Sequence, residues 1–105
     1  MNMNSYNCCD PSSTQSNIIN KLSKFLTTIC SENKLQILCL LRDQEHCVCE
    51  IIEKFNISQS LASHHLSDFK AEGLVSCRKD GRQSFYSLTK KGKMIVDKVF
   101  TLLDR

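Results

Sequence analysis

Hydrophobic residues recur at helical spacing in five separate stretches of the chain. The first stretch covers residues 18–29, and the second begins after Ser31, which can cap a helix. A third, short helix is predicted over residues 47–55, and a fourth follows Ser58. Thr89 precedes the last stretch and can cap it in the same way. The pattern therefore predicts a mainly helical domain.

The fourth stretch differs from the others in its polar side. Ala62, Leu66 and Phe69 form one narrow apolar stripe, and Gly73 supplies the left-handed residue that ends a helix. The opposite side carries small, nearly uncharged groups, whereas an ordinary surface helix carries Lys and Glu. A helix of this kind can enter the major groove of DNA and read base edges. The predicted DNA-reading residues are Gln59, Ser60, Ser63, His64 and Ser67.

Beyond the fourth stretch the hydrophobic period changes to two. Residues 74–79 and 83–88 are predicted strands, and Asp80-Gly81 is a hairpin signal because glycine tolerates positive φ. Within residues 70–93, seven basic residues stand against two acidic ones, although the net charge of the chain is only +3. A basic hairpin directly after a recognition helix is typical of a wing. Its predicted phosphate contacts are Arg78, Lys79 and Arg82.

The chain is expected to divide into an arm and one domain. Residues 1–15 are predicted to be a flexible N-terminal arm carrying Cys8 and Cys9, because they lack apolar periodicity. Residues 16–105 then form a winged helix-turn-helix domain for DNA binding and dimerisation, in the order α-α-α-α-β-β-α. The first and last helices carry more apolar residues than one small core needs, which predicts a homodimer. No stretch reaches transmembrane length, so a cytoplasmic protein without membrane contact is expected.

Seven cysteines occur among the 105 residues. In a reducing compartment, cysteines act as small buried hydrophobes or soft metal ligands rather than as a disulfide framework. Cys30 and Cys39 lie among apolar residues and are predicted to be in or near the core. The chain shows no carboxylate pair, nucleophile–base set or Gly-rich phosphate loop, so it is not expected to be an enzyme.

These motifs resemble those of the ArsR/SmtB family of winged-helix transcriptional repressors. The resemblance covers about residues 17 to 103, and it rests on Ser58-Gln59, Ser63-His64-His65-Leu66, the AEGLV and DGR segments beginning at Ala71 and Asp80, and Cys47-Val48-Cys49-Glu50. It implies a homodimer that binds double-stranded operator DNA and leaves it when an effector binds. The cysteine box resembles the family's metal-binding box, where thiolates bind arsenite, cadmium or lead. The implied metal ligands are Cys8, Cys9, Cys47 and Cys49.

The spacing of the two box cysteines bears on which ion is bound. On a regular helix, Cys47 and Cys49 stand about 200° apart, so they converge on one ion only if the first turn is irregular. The arm can bring Cys8 and Cys9 to one of them, which favours a three-thiolate arsenite site over a four-thiolate cadmium or lead site. His46, beside the box, is expected to be a solvated loop residue.

Two other functions are compatible with the sequence. A winged-helix regulator could respond to oxidants through Cys30, Cys39 or Cys77. A cytosolic thiolate metal buffer would bind soft ions without contacting DNA. An arsenite- or antimonite-responsive repressor is the favoured prediction, with a cadmium- or lead-responsive repressor of the same family as the alternative.

Overall fold

The computed structural model describes residues 14–103, which fall into two compact units that divide between Cys30 and Ser31. The first unit contains the helix α1 (Thr14–Ile29). One surface of this helix is strongly apolar, with Ile18, Leu22 and Leu26 exposed by 56%, 52% and 50%. Predicted metal ligands Cys8 and Cys9 lie outside the described residues.

Within residues 31–103, the second unit contains four helices and a three-stranded antiparallel sheet. The helices are α2 (Glu32–Leu40), α3 (Val48–Phe55), α4 (Gln59–Ala71) and α5 (Lys90–Phe100). The strands are β1 (His46–Cys47), β2 (Val75–Asp80) and β3 (Gln83–Leu88), in the sheet order β1-β3-β2. This architecture confirms the predicted winged helix-turn-helix and adds one short strand to it. None of the helices across residues 14–103 combines the length and the apolar character needed to cross a membrane.

The predicted start and stop signals act at the ends of the helices. Ser31, Ser58 and Thr89 are the N-caps of α2, α4 and α5, and each side chain accepts a backbone N–H bond of 2.9–3.1 Å. Asn56 ends α3 with a left-handed φ of 52°, and Gly73 follows α4 with a φ of 76°. These local contacts satisfy backbone groups that a helix end otherwise leaves unpaired.

The core of the second unit forms around α4. Ala62, Leu66 and Phe69 are fully buried, which confirms the predicted apolar stripe of this helix. The helix contacts both α3 and β2, so burial of its stripe holds α4 against the hairpin of β2 and β3. The other large side chains with no more than 2% exposure are Ile37, Leu38, Leu41, Ile51, Leu74 and Val96.

Strand β1 is the element that the sequence pattern did not predict. His46 pairs with Tyr86 and Cys47 pairs with Phe85 across the sheet. Since a strand of two residues is too short to show a period, only the pairing with β3 reveals it. His46 is consequently buried rather than a solvated loop residue, and Cys47 is the N-cap of α3 rather than its first helical residue.

Two cysteines that were expected in the core are exposed. Cys30 follows the last residue of α1, and Cys39 lies on α2. The buried positions of this region are Ile37, Leu38 and Leu41, so Cys39 falls outside the stripe that faces the core. The core prediction for both cysteines is therefore wrong for the described chain.

The wing turn is shifted by one residue from the predicted position. Strands β2 and β3 pair from Val75 opposite Leu88 to Asp80 opposite Gln83, so Asp80 is the last residue of β2. The two-residue turn is Gly81-Arg82 rather than Asp80-Gly81. Gly81 has a φ of 66°, and a glycine with positive φ at this first central position is what a type II′ turn requires.

We predict that Gly92→Ala destabilises the protein because Gly92 packs tightly against Leu74. A Cβ atom at Gly92 would overlap the Leu74 carbonyl oxygen, which already accepts the Thr89 N–H at 3.0 Å. The expected loss in free energy of unfolding is about 1–3 kcal/mol, the usual cost of overpacking, measured by urea denaturation at one protein concentration. Lys93→Ala, at the adjacent exposed position, is the control and should change stability little. Equal stability of the two variants would contradict this close packing.

Candidate DNA-binding surface and thiol pair

Helices α3 and α4 form the helix-turn-helix, and the polar side of α4 faces solvent. All five residues predicted to read DNA bases lie on this helix and are exposed: Gln59, Ser60, Ser63, His64 and Ser67. Their spacing places them along one stripe of the helix, opposite its buried side. The described chain therefore presents short hydrogen-bonding groups on an exposed helix surface, as readout in a major groove requires.

The two adjacent histidines of α4 have different environments. His64 is exposed, and its Nε2 lies 3.6 Å from the Asp68 carboxylate, which also pairs with Lys34 of α2 at 3.4 Å. His65 is buried, and within residues 14–103 its Nδ1 has no hydrogen-bond partner. Burial lowers the pKa of His65, and the positive charge of Lys34 lowers it further. His65 is thus part of the core, whereas the imidazole of His64 is exposed on the surface of α4.

The three basic residues of the wing are exposed but differ in their partners. Arg78 donates two hydrogen bonds to the Glu45 carboxylate, of 3.0 Å from Nε and 2.8 Å from Nη2. Its guanidinium carbon also lies 4.7 Å from the centre of the Phe85 ring. These hydrogen bonds lower the pKa of Glu45 and raise the pKa of Arg78. No acidic partner of Lys79 or Arg82 occurs in the described part of the chain.

Cys47 and Cys49 form a pair at the start of α3. Their Cα atoms are 5.2 Å apart, and the structure joins their sulfur atoms as a disulfide. Cys47 Sγ accepts the Cys49 N–H at 3.2 Å, and Glu50 Oε1 accepts the Cys47 N–H at 2.8 Å, which together make a capping box. The predicted divergence of about 200° is wrong, because Cys47 has an extended backbone and folds its side chain over the first turn.

The pair suits a soft ion, but only as part of a larger ligand set. As thiols, the two sulfur atoms would be adjacent soft donors, and Cys49 is exposed. Between residues 14 and 103, no group of three or more His, Cys, Asp or Glu side chains could hold a metal ion. The other two predicted ligands, Cys8 and Cys9, lie outside this range.

A cleft of about 270 Å³ is lined by both the sulfur pair and two of the residues predicted to read DNA. Cys47 and Cys49 line it from the start of α3, and Gln59 and Ser63 line it from α4. The remaining lining residues are Val48, Ile52, Arg82, Gln83, Ser84 and Tyr86. Sequence reasoning missed Gln83, Ser84 and Tyr86, because their proximity to the cysteines follows from the pairing of β1 with β3. We name this feature the thiol cleft.

Comparison with known proteins places these features in a group of bacterial regulators. The family model described as bacterial regulatory protein, arsR family, matches residues 31–76. The arsenical resistance operon repressor of Staphylococcus aureus is 38% identical over 68 residues, which is 65% of this chain and 65% of that protein. The cadmium resistance transcriptional regulatory protein CadC of Listeria innocua is 36% identical over 66 residues, or 62% and 56% of the two chains.

The transcriptional activator HlyU of Vibrio cholerae is similar in both sequence and structure. The two sequences are 41% identical over 64 residues, which is 61% of this chain and 59% of HlyU. The superposed structures have a TM-score of 0.72 and 31% identity, covering 89% of this chain and all of the solved HlyU chain. The sequence matches to these three curated relatives span less than two thirds of each relative's length.

We predict that the wing arginines contribute unequally to the salt dependence of DNA binding. Arg82→Ala should reduce the slope of log affinity against log salt by about one phosphate contact, because Arg82 has no acidic partner in the described structure. Arg78→Ala should reduce it less, because Glu45 already neutralises that guanidinium. Fluorescence anisotropy of a labelled duplex over a salt series measures both slopes. An altered sequence preference with an unchanged slope for Arg82→Ala would show that Arg82 reads bases instead.

Proposed function

Because the chain belongs to the ArsR family of bacterial regulatory proteins, we propose that it is a transcriptional repressor released from operator DNA by a soft metal or metalloid ion. The observation that carries this proposal is the sulfur pair of Cys47 and Cys49, which stands at the start of the helix-turn-helix. A ligand held there lies in the cleft that Gln59 and Ser63 of the proposed reading helix α4 also line. Effector and operator need a coupling free energy of only about 1–3 kcal/mol for a useful switch.

We assign base reading to α4 and affinity to the wing. Gln59, Ser60, Ser63 and His64 lie at the N-terminal end or on the exposed side of α4, where side chains reach base edges in a major groove. Ser67 extends the same stripe by one turn. The wing cations supply phosphate contacts with little sequence preference, since a phosphate carries no sequence information.

We propose that the protein acts as a homodimer. The apolar surface of α1 and the exposed apolar residues in and after α5 support this, with Met94 and Leu103 exposed by 55% and 90%. Apolar area of this kind is favourably buried against a second copy of the chain. Two reading helices related by a two-fold axis would enter successive major grooves about 34 Å apart.

We propose arsenite or antimonite as the effector, with cadmium or lead as the alternative. Arsenite takes three thiolates, which were expected to be Cys8, Cys9 and one box cysteine. Because the box sulfurs are adjacent, we now propose Cys47, Cys49 and one of Cys8 and Cys9. Cadmium and lead are better served by four thiolates and would need both N-terminal cysteines. A four-thiolate site was expected to need an irregular first turn in α3, so that Cys47 and Cys49 could reach one ion. The structure already places their two sulfur atoms side by side. The relatives named for arsenical and for cadmium resistance support this class of ion.

A thiol-redox response is the second candidate, because the structure joins Cys47 and Cys49 as a disulfide. Two thiols would lose two protons and two electrons to a peroxide, forming the S–S bond as the O–O bond breaks. Hydrogen peroxide yields two waters, and an alkyl hydroperoxide yields an alcohol and one water. This assigns the redox role to the box pair rather than to Cys30, Cys39 or Cys77, which are free cysteines. The two responses differ in one observable, because only the metal response needs an ion bound in a fixed ratio to the protein.

We predict that Cys49→Ser abolishes release from DNA by arsenite while leaving duplex binding intact. Cys49 is exposed and would supply a thiolate that serine cannot replace, yet it is not among the proposed DNA contacts. The assay is retention of duplex DNA from upstream of the coding sequence, with and without arsenite, cadmium and zinc. Cys39→Ser, on α2, is the matched control. Release of Cys49→Ser at the wild-type arsenite concentration would contradict the proposal.

Thiol titration in the same samples separates the candidate effectors. Saturation with arsenite should protect three thiols per subunit from the titrating reagent. If the site has four thiolates, saturation with cadmium should protect four. The double variant Cys8→Ser with Cys9→Ser should bind the duplex but resist release. Release by hydrogen peroxide in the presence of a chelator, without release by any ion, would establish the redox candidate instead.

We predict a dimer in solution that Leu22→Glu disrupts. Placing a carboxylate in a buried apolar interface is costly, so this variant should dimerise at least about tenfold more weakly. Sedimentation equilibrium at micromolar concentration measures the association. Asn20→Glu, at an exposed polar position on α1, introduces the same single negative charge and serves as the control. A wild-type monomer that still binds the duplex would contradict the homodimer.

A further inference from the structure

We propose that the effector and the operator compete directly for the thiol cleft, so that one subunit does not bind both at the same time. This inference rests on the proposed function, because it takes α4 and the wing to be the DNA-binding surface. It adds that release arises within a single subunit, by occupation of shared space. A change in the relative position of two subunits is not required.

The composition of the cleft walls is the first observation. Cys49 opens into the cleft beside Gln59, Ser63 and Arg82, which are three of the proposed DNA contacts. All four residues are exposed. A group attached to Cys49 therefore lies among the side chains that would contact base edges and phosphates, rather than at a remote site.

The size of the cleft is the second observation. Its volume of about 270 Å³ is slightly smaller than the range of about 300–1,000 Å³ typical of small-molecule sites. The cleft has room for one small ligand with its coordinating groups. A ligand coordinated by Cys49 would occupy the space into which Gln59 and Arg82 also face.

The incomplete ligand set is the third observation. Among residues 14–103 no third metal-binding side chain joins Cys47 and Cys49. The groups that complete the coordination, whether thiolates or oxygen ligands, would have to reach the ion at this cleft. Each added group fills space next to Gln59 and Ser63, so coordination and DNA contact oppose each other more strongly as the ligand set is completed.

Residue-resolved alkylation of the reduced wild-type chain tests this competition without any metal. A brief pulse of N-ethylmaleimide is applied with and without duplex DNA from upstream of the coding sequence, and peptide mass spectrometry gives the rate at each cysteine. Duplex DNA should slow the alkylation of Cys49 at least tenfold. Cys39 is exposed on α2 and does not line the cleft, so its rate should be unchanged and provides the internal control.

The reverse experiment uses adducts of increasing size. A variant keeping Cys49 as its only cysteine is alkylated with iodoacetamide, N-ethylmaleimide or a bulky maleimide, and its duplex affinity is measured. Direct competition predicts a loss of affinity that grows with adduct size and reaches at least tenfold for the bulky reagent. A variant keeping only Cys39 should retain its affinity after the same treatments.

The outcomes distinguish this inference from the function on which it rests. Equal alkylation rates of Cys49 in free and DNA-bound protein, or undiminished duplex binding by the bulky adduct, would overturn direct competition. The proposed function would survive both results if arsenite still released the wild-type protein. Conversely, a wild-type protein that binds no duplex, even at low salt, would overturn both proposals.

Discussion

The N-cap of α3 is the interaction on which the proposed site depends. Cys47 pairs through its backbone with Phe85 of the wing, and its sulfur accepts the N–H of Cys49. Glu50 closes the capping box by accepting the Cys47 N–H. One residue thus connects the sheet, the first turn of a helix and the thiol pair. Without this cap, Cys47 would continue the helix and its sulfur would point away from Cys49.

This cap also has an electrostatic consequence for the thiols. The N-terminus of a helix carries a partial positive charge from its unpaired N–H groups, which stabilises an anion placed there. The Cys47 sulfur accepts one of these groups, the N–H of Cys49. The fold thus places the sulfur pair at the positive end of α3.

Much of the architecture follows from local signals in the sequence. Ser58, Asn56 and Gly73 mark the ends of α3 and α4, and the stripe of Ala62, Leu66 and Phe69 gives the side of α4 that is buried. Such signals act over a few residues, so a single sequence suffices to detect them.

The predictions that were wrong concern residues whose environment depends on contacts between distant parts of the chain. Strand β1 has only two residues, and its existence depends on β3, which lies far along the chain. That pairing removed Cys47 from the helix, brought its sulfur to Cys49 and buried His46. The exposure of Cys39 likewise depended on which side of α2 faces the core, and the many apolar residues of α2 left that orientation undetermined.

The ion pair between Arg78 and Glu45 gives the wing an internal counterion. In the free protein, Glu45 partly satisfies Arg78, and a phosphate must displace that carboxylate to bind the guanidinium. Added salt weakens the phosphate contact, but it also weakens the competing carboxylate by the same screening. The two effects offset each other at this one residue. The proposed phosphate contact of Arg78 would therefore vary little with ionic strength, so the affinity for duplex DNA would fall less with added salt than the number of basic residues in the wing suggests.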